Sequence, residues 1–151
     1  MDLSCNKIKN NINVLGNVKF EKLEKLNLSY NRISNINVLK KVNFKELKKL
    51  NLSNNEIFDI TVLENVNFEK LETLNLYHNK IKEIDVLGKV KFEKLETLDL
   101  SENDISNINV LQKINFENLK ELDLNENDIE NINALGKMNL KKIRNFKFKL
   151  K

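Results

Sequence analysis

The residues best suited to chemistry are carboxylates that recur at a spacing of 24 in the second half of the chain. They form a series of Asp99, Glu102, Asp104, Asp123, Glu126 and Asp128. If equivalent positions lie on adjacent parallel strands, their carboxylates are about 5 Å apart. Such stacking could raise their pKa values, recruit a cation, attract a basic partner, or form an ordinary solvated surface.

Catalysis and metal binding fit this series less well than protein binding. No D-x-[DN]-x-[DN]-G calcium loop is present, and one cysteine with one histidine cannot supply a tetrahedral zinc site. Acid–base catalysis needs an enclosed, desolvated pocket, whereas repeated strands offer a shallow surface. The three glycines share one helix position and form no phosphate loop. We therefore expect no enzymatic activity, no cofactor and no bound metal.

Aromatic residues near the carboxylates are candidate anchors for a protein partner. Tyr77 and His78 lie in the middle of the chain, and Tyr30 shares a repeat position with His78. Exposed tyrosines often anchor interfaces, although tyrosine also simply favours strands. We expect Cys5 to fill space near one end. The predicted partner-binding residues are Tyr30, Tyr77, His78, Asp99, Glu102, Asp123 and Glu126.

Charge is segregated along the chain. Residues 1–94 carry a net +5, residues 95–136 a net −8 and residues 137–151 a net +7. Since complementary fields steer association, the acidic window favours a protein partner with a basic surface. Nucleic acid is not expected, because the phenylalanines of the basic terminal segment occupy inward positions. No apolar run approaches the ~20 residues that span a membrane, and no leader segment is evident, so a cytoplasmic location is predicted.

These residues are positioned by an internal repeat of 24 residues. Its register is marked by Leu23, Leu47, Leu71, Leu95, Leu119 and Ile143. Residues 23–142 hold five full copies, 1–22 a partial copy, and 143–151 a partial copy or edge strand, so 1–151 is predicted to be a single domain. Aligned on these residues, the repeat unit reads L-x-x-L-x-L-x-x-N-x-I-x-x-I-x-V-L-x-x-V-x-F-x-x.

Each copy predicts a strand, a turn and a short helix. In Lys49–Ser53 the two leucines face the core and Lys49, Asn51 and Ser53 face solvent. An asparagine column then turns the chain and satisfies backbone groups of adjacent turns: Asn6, Asn31, Asn55, Asn79, Asn103 and Asn127. Helix N-caps are predicted at Asn13, Asn37, Thr61, Asp85, Asn109 and Asn133. A stacked core column is predicted from Phe20, Phe44, Phe68, Phe92 and Phe116, ending at Leu140.

This unit resembles the leucine-rich repeat, and its second half, I-x-V-L-x-x-V, is similar to the subclass of the protein phosphatase-1 regulatory subunit and internalins. The unit departs from that subclass by an added x-F pair. The resemblance implies an α/β fold: a right-handed solenoid with a parallel concave β-sheet and short helices or 3-10 turns on the convex side.

The residues and the resemblance together predict a non-catalytic protein-interaction module, a scaffold that binds its partner on the concave face. The alternative is a structural or adhesive segment of a longer array, as in internalin-like surface proteins. No polar caps are evident at either end, although lysines on the terminal strand discourage edge pairing. End-to-end association therefore remains an open alternative.

Overall fold

The computed structural model describes residues 1–114, 116–138 and 143–149, without the side chains of residues 10 and 11. Short strands and 3-10 helices alternate along the chain. The strands are β1 (Lys25–Asn27), β2 (Lys49–Asn51), β3 (Thr73–Asn75), β4 (Thr97–Asp99), β5 (Glu121–Asp123) and β6 (Asn145–Lys147). The 3-10 helices are η1 (Asn10–Asn17), η2 (Asn37–Lys40), η3 (Thr61–Asn65), η4 (Asp85–Gly88), η5 (Asn109–Gln112) and η6 (Leu135–Lys137).

The six strands form one parallel sheet in the order β1-β2-β3-β4-β5-β6. Each strand pairs with the next at the repeat spacing, so that Leu26 lies opposite Leu50 and Leu50 opposite Leu74. Asp2 makes a parallel bridge to Asn27, which extends the sheet towards the amino terminus. This architecture confirms the predicted leucine-rich-repeat solenoid.

The core lies between the sheet and the 3-10 helices, and equivalent apolar positions of successive turns supply most of it. In the turn that begins with β1, Leu26, Leu28, Ile36 and Leu39 are at most 1% exposed. The helix is short because only its Val-Leu pair needs to face the core. One i to i+3 hydrogen bond, from Leu39 N to Ile36 O at 2.9 Å, closes its first turn.

Buried asparagines join successive turns, as predicted. This asparagine ladder consists of Asn31, Asn55, Asn79, Asn103 and Asn127, each at most 9% exposed. In one member, Asn55 Oδ1 accepts from Ile33 N at 3.0 Å, and Asn55 Nδ2 donates to Leu28 O and Leu52 O at 3.0 Å. One amide therefore satisfies backbone groups on two turns. Asn6, in the same column, is exposed at the amino-terminal end.

The residue before each ladder asparagine, and not the asparagine itself, makes the turn off the strand. These residues have φ between 50° and 59° and form a left-handed column: Cys5, Tyr30, Asn54, His78, Glu102 and Glu126. Asparagine tolerates this conformation best among them, whereas bulky side chains are strained there. No glycine occupies this column, so the structure imposes an unfavourable backbone conformation on several functional candidates.

Three local predictions were wrong. Four of the predicted N-cap residues are instead the first residue of their helix, as Asn37 is in η2, and the residue at the cap, Ile36, makes no side-chain capping bond. In several repeats the residue two positions earlier accepts from the predicted residue, as Asn35 Oδ1 does from Asn37 N at 2.8 Å. Ser29, Ser53 and Ser101 are buried instead of exposed, because a neighbouring side chain on the same strand folds over them; Asn27 Oδ1 lies 2.8 Å from Ser29 Oγ. Cys5, predicted to fill space, is exposed.

The phenylalanine column is core only in its middle. Phe44, Phe68 and Phe92 are buried, whereas Phe20 at the amino-terminal end is 40% exposed, since no preceding turn covers it. Among the described residues, ring contacts join Tyr77 to His78 and Phe146 to Phe148, and none joins members of this column. The column is therefore held by apolar packing without the predicted aromatic stacking. Leu140, its predicted end, lies outside the described residues.

Candidate functional site

The solvent side of the sheet carries two of the predicted site residues, Asp99 and Asp123, and the other five lie just past the strand ends. We call it the concave face, formed by Lys25, Asn27, Lys49, Asn51, Thr73, Asn75, Thr97, Asp99, Glu121, Asp123, Asn145 and Lys147. These side chains alternate with core-facing residues because the period of a strand is two. Their exposure follows this alternation, with each central strand residue buried except Phe146, which is half-buried.

Tyr77, His78 and Glu102 form an aromatic–acid cluster beside the middle of this face. The Tyr77 hydroxyl donates to Glu102 Oε1 at 2.8 Å, and His78 Nδ1 lies 2.8 Å from Glu102 Oε2. The Tyr77 and His78 rings are 5.8 Å apart with a tilt of 40°. One carboxylate on the next turn thus fixes both rings.

Local backbone explains how the cluster forms. Tyr77 occupies the column filled by serine in three other turns, and its backbone N–H donates to Asn75 Oδ1 at 2.9 Å. A tyrosine there is too long to be covered by its neighbours, so its ring projects and remains half-exposed. His78 and Glu102 follow in the left-handed column, with φ of 50° and 51°, one turn apart. The repeat therefore stacks the two side chains directly over one another.

Of the effects that stacked carboxylates could have, a raised pKa is not found at Glu102. The hydrogen bond from Tyr77, followed by that from His78, lowers the pKa of Glu102. The same bond, followed by desolvation, raises the pKa of the Tyr77 phenol. Both shifts favour a carboxylate that accepts from a neutral phenol near neutral pH.

The acidic side of the concave face lies on β4 and β5. Asp99 is paired with Asp123 in the sheet register, and Thr97 with Glu121. Asp99 and Asp123 also accept from the backbone N–H groups of Ser101 and Asn125, at 3.0 and 3.1 Å. These aspartates therefore hold the strand exits, as Asn27, Asn51 and Asn75 do in earlier turns.

Two lysines of the terminal segment partly neutralise this acidic region, which the sequence prediction missed. Lys147 Nζ lies 3.1 Å from Asp123 Oδ2, and Lys149 Nζ lies 3.7 Å from Glu126 Oε1. The bond to Asp123 raises the pKa of Lys147. A cavity of about 70 Å³ beside Lys147 is lined by Asp99, Glu121 and Asp123. The signal was present in the repeat, because Lys147 shares the sequence position of Asp123.

Other ion pairs also follow the repeat spacing and were missed. Acid and base at equivalent positions of adjacent turns pair as Glu24–Lys48 at 2.9 Å, Glu46–Lys70 at 2.7 Å and Glu96–Lys120 at 2.6 Å. These pairs involve none of the concave-face residues. Aligning charges at a spacing of 24 would have revealed them.

The structure brings some predicted site residues together and separates others. Tyr77, His78 and Glu102 are in contact, and Asp99 and Asp123 are neighbours. Tyr30 is 61% exposed and lies two turns from His78 in the left-handed column, about 10 Å at sheet spacing. Glu126 pairs with Lys149 at the far end. Within the described part of the chain, no group of three or more His, Cys, Asp or Glu side chains is arranged to hold a metal ion.

No helix among the described residues has the length and apolar character needed to cross a membrane.

Sequence comparison identifies the repeat. Leucine-rich-repeat family models match residues 22–41, 45–89, 69–113 and 117–132, which together make up most of the chain. A comparison with curated proteins gave no match.

Two solved structures share the fold. One is the crystal structure of an internalin (inlF) from Listeria monocytogenes, which is 28% identical with a TM-score of 0.74. The match covers 93% of this chain but 38% of the internalin chain. The other, the PEPR1-AtPEP1 crystal structure, is 23% identical with a TM-score of 0.64 over 87% of this chain and 18% of that chain. This chain thus spans less than half of either structure, and its phosphatase-1 subclass stays a prediction.

Proposed function

Because this chain belongs to the leucine-rich-repeat family, we propose that it is a non-catalytic interaction module that binds a protein partner on its concave face. One observation carries the proposal: Tyr77 and His78 are held by hydrogen bonds to Glu102 beside the middle of that face. The proposed contact residues are the seven predicted from the sequence, namely Tyr30, Tyr77, His78, Asp99, Glu102, Asp123 and Glu126.

A preorganised tyrosine suits a binding role. Binding immobilises side chains at a cost of about 0.5–1.5 kcal/mol for each rotamer-rich residue, and a tyrosine already fixed by a carboxylate avoids part of that cost. Tyrosine is also one of the residue types enriched among interface hot spots. The cluster therefore offers a partner a large, oriented aromatic surface with polar groups at its edge.

The repeat accommodates serine at the position of this tyrosine. Serine occupies it in three other turns and is buried there: Ser29, Ser53 and Ser101. Three members of the left-handed column also have a backbone conformation that disfavours bulky side chains: Tyr30, His78 and Glu102. Strain of this kind is often retained where side chains act in recognition.

The proposal is tested by selecting peptide binders from a displayed random library and comparing two variants. Tyr77→Ser inserts the residue that the repeat tolerates at this position. Phe58→Ser is the matched control, because Phe58 is 62% exposed outside the sheet and serine stands at the equivalent Ser34. We expect Tyr77→Ser to weaken the selected binders by about 30-fold or more, the effect of losing a hot spot. Loss of binding in Phe58→Ser with no effect of Tyr77→Ser would refute the concave-face proposal.

A second candidate is a structural or adhesive segment of a longer array. It is favoured by the internalin likeness over 93% of this chain and by apolar residues exposed at both ends, Val14 and Phe20 at one and Ile132 at the other. Sedimentation velocity at rising concentration tests it. End-to-end association that Val14→Ser reduces would support the array, whereas a monomer at all concentrations would contradict association through these ends. The cytoplasmic location and scaffold role belong to the first proposal, and a surface location to the second.

A further inference from the structure

We propose that the concave face binds an extended partner segment in a fixed orientation, with the segment's acidic residues over Lys25 and Lys49 and its basic residues over Asp99, Glu121 and Asp123. This inference rests on the proposed function, since it names the kind of partner that the same face accepts. It is drawn from the order of charges across the six strands.

The basic side of the face lies on β1 and β2. Lys25 lies opposite Lys49 in the register, and both are exposed. Like charges directly opposite one another on a sheet are destabilising. Two acids near this side of the sheet have partners of their own. Glu24 pairs with Lys48 at 2.9 Å, and Asp2 Oδ1 accepts from Ser4 N at 2.9 Å.

Neither lysine forms an ion pair with another described residue. The fold therefore carries two adjacent cationic side chains with no ion pair of their own within 4 Å in the described part of the chain. A carboxylate of a bound partner would relieve their repulsion.

The acidic side of the face, on β4 and β5, has an excess of negative charge. Three carboxylates, those of Asp99, Glu121 and Asp123, surround the position of a single concave-face cation, Lys147. Lys147 pairs with Asp123 and leaves a net excess of negative charge on this side. The Lys147 ammonium marks where a cation is stabilised, and the remaining carboxylates can accept a partner's lysine or arginine.

The middle of the face is uncharged. Thr73 and Asn75 on β3 separate the basic strands from the acidic ones, and Tyr77 follows them at the strand exit. At a strand spacing of about 4.8 Å, Lys49 and Asp99 are about 10 Å apart across the sheet, and Lys25 and Glu121 about 19 Å apart. An extended segment advances about 3.3 Å per residue, so it matches both sides when its acidic and basic residues are about 3–6 positions apart.

Charges on the neighbouring strand exits do not reverse this order. At the exit of β2, Glu56 pairs with Lys80 at 3.6 Å, and Arg32 adds positive charge at the exit of β1. Asp104 extends the negative side beyond β4. The partner predicted by this pattern is a protein segment with an acidic block, a short uncharged or aromatic centre and a basic block.

The test uses a synthetic peptide with an acidic block, a Gly-Tyr-Ser spacer and an arginine block, and an isomer of the same composition with alternating charges. At low salt we expect the block peptide to bind about 10-fold more tightly than the alternating isomer. A spin label on its acidic end should broaden amide signals of β1 and β2, and a label on its basic end those of β4 and β5.

Two matched variants remove charge with residues that the repeat already uses. The first variant, Lys25→Thr with Lys49→Thr, inserts the residue that β3 and β4 carry at this position. The second, Asp99→Asn with Asp123→Asn, removes the charge but keeps the side-chain oxygen that accepts from the backbone, as Asn75 Oδ1 does on β3. Each pair should abolish most of the preference for the block peptide.

Equal affinity for the two peptides, failure of the block peptide to bind, or broadening of the same strands by both labels would overturn the orientation. Those results leave the Tyr77→Ser comparison to decide the proposed function separately. Binding mapped to the 3-10 helices instead of the sheet would refute both.

Discussion

Replacing Asn79 by alanine tests how strongly the asparagine ladder holds the turns together. Asn79 Oδ1 accepts from Ile57 N at 3.0 Å, and its Nδ2 donates to Leu52 O, Leu76 O and Tyr77 O at 3.1–3.2 Å. Each of these carbonyls keeps another donor, such as Asn55 Nδ2 for Leu52 O. The Ile57 N–H has no other partner among the described residues and becomes an unsatisfied buried donor.

The one unpaired donor, the Ile57 N–H, sets the expected loss in the free energy of unfolding. Leaving a buried N–H unpaired costs about 1–3 kcal/mol, so the free energy of unfolding of Asn79→Ala should fall by this amount. Urea denaturation followed by far-UV circular dichroism measures the change. Asn6→Ala is the matched control, since Asn6 holds the same column position but is exposed, and it should change stability by less than about 0.5 kcal/mol. Equal effects of the two substitutions would refute the view that burial makes the ladder stabilising.

Three further predictions concern the backbone, the aromatic–acid cluster and helix packing. Tyr30→Asn should raise the free energy of unfolding by about 0.5–1 kcal/mol, because Tyr30 has φ of 54° and asparagine tolerates that conformation, as Asn54 shows; denaturation without a gain would contradict it. Tyr77→Phe should raise the pKa of Glu102 towards its ordinary value, as measured by carboxyl NMR titration, because it removes the principal cause of its lowering; an unchanged pKa would contradict that cause. A lowered Glu102 pKa stabilises the fold at pH values above the ordinary glutamate pKa, and this stabilisation is lost as the pH falls through the lowered pKa. The difference in the free energy of unfolding between wild type and Tyr77→Phe should therefore shrink on acidification. Gly88→Ala should destabilise the protein by about 1 kcal/mol, because the added Cβ would lie 3.0 Å from Val110 Cγ2. Gly136→Ala should be neutral or stabilising, because no described neighbour lies within 4 Å of its added Cβ. Equal thermal unfolding temperatures of the two variants would refute the packing argument.

The repeat made the strands, the buried columns and the asparagine ladder predictable from the sequence. Leu26, Leu50 and Leu74 recur at a fixed spacing, and such columns can be buried together only if each strand stacks on the next in register. The ladder followed from the same reasoning, since a polar residue repeated inside an apolar pattern needs backbone partners.

Local chemistry at the strand exits was harder to predict. Periodicity places Tyr30 and His78 in one column but does not reveal that this column has positive φ, because glycine, the usual signal, is missing there. The burial of Ser29 depends on how Asn27 folds back over it, a two-residue contact that hydrophobic pattern does not encode. Phe20 was predicted to be buried but is exposed, because no preceding turn packs against the first member of the column.

The candidate site was predicted in its members but not in its contacts. Tyr77, His78 and Glu102 were each selected from the sequence, yet the carboxylate that links the two rings becomes evident only when adjacent turns are stacked. The ion pair of Lys147 was not predicted, although 143–151 was predicted to be a partial copy or edge strand. The charges of residues 137–151 were summed along the chain and were not compared with equivalent positions one turn earlier, where β5 pairs with β6.

Hydrogen–deuterium exchange of the protein with and without a selected binder tests concave-face binding most directly. The proposal predicts slower exchange in the strand segments around β3–β5 and at Tyr77 and His78, with little change in η2–η5. Protection confined to the 3-10 helices, with exchange of the strand segments unaltered by the binder, would contradict it.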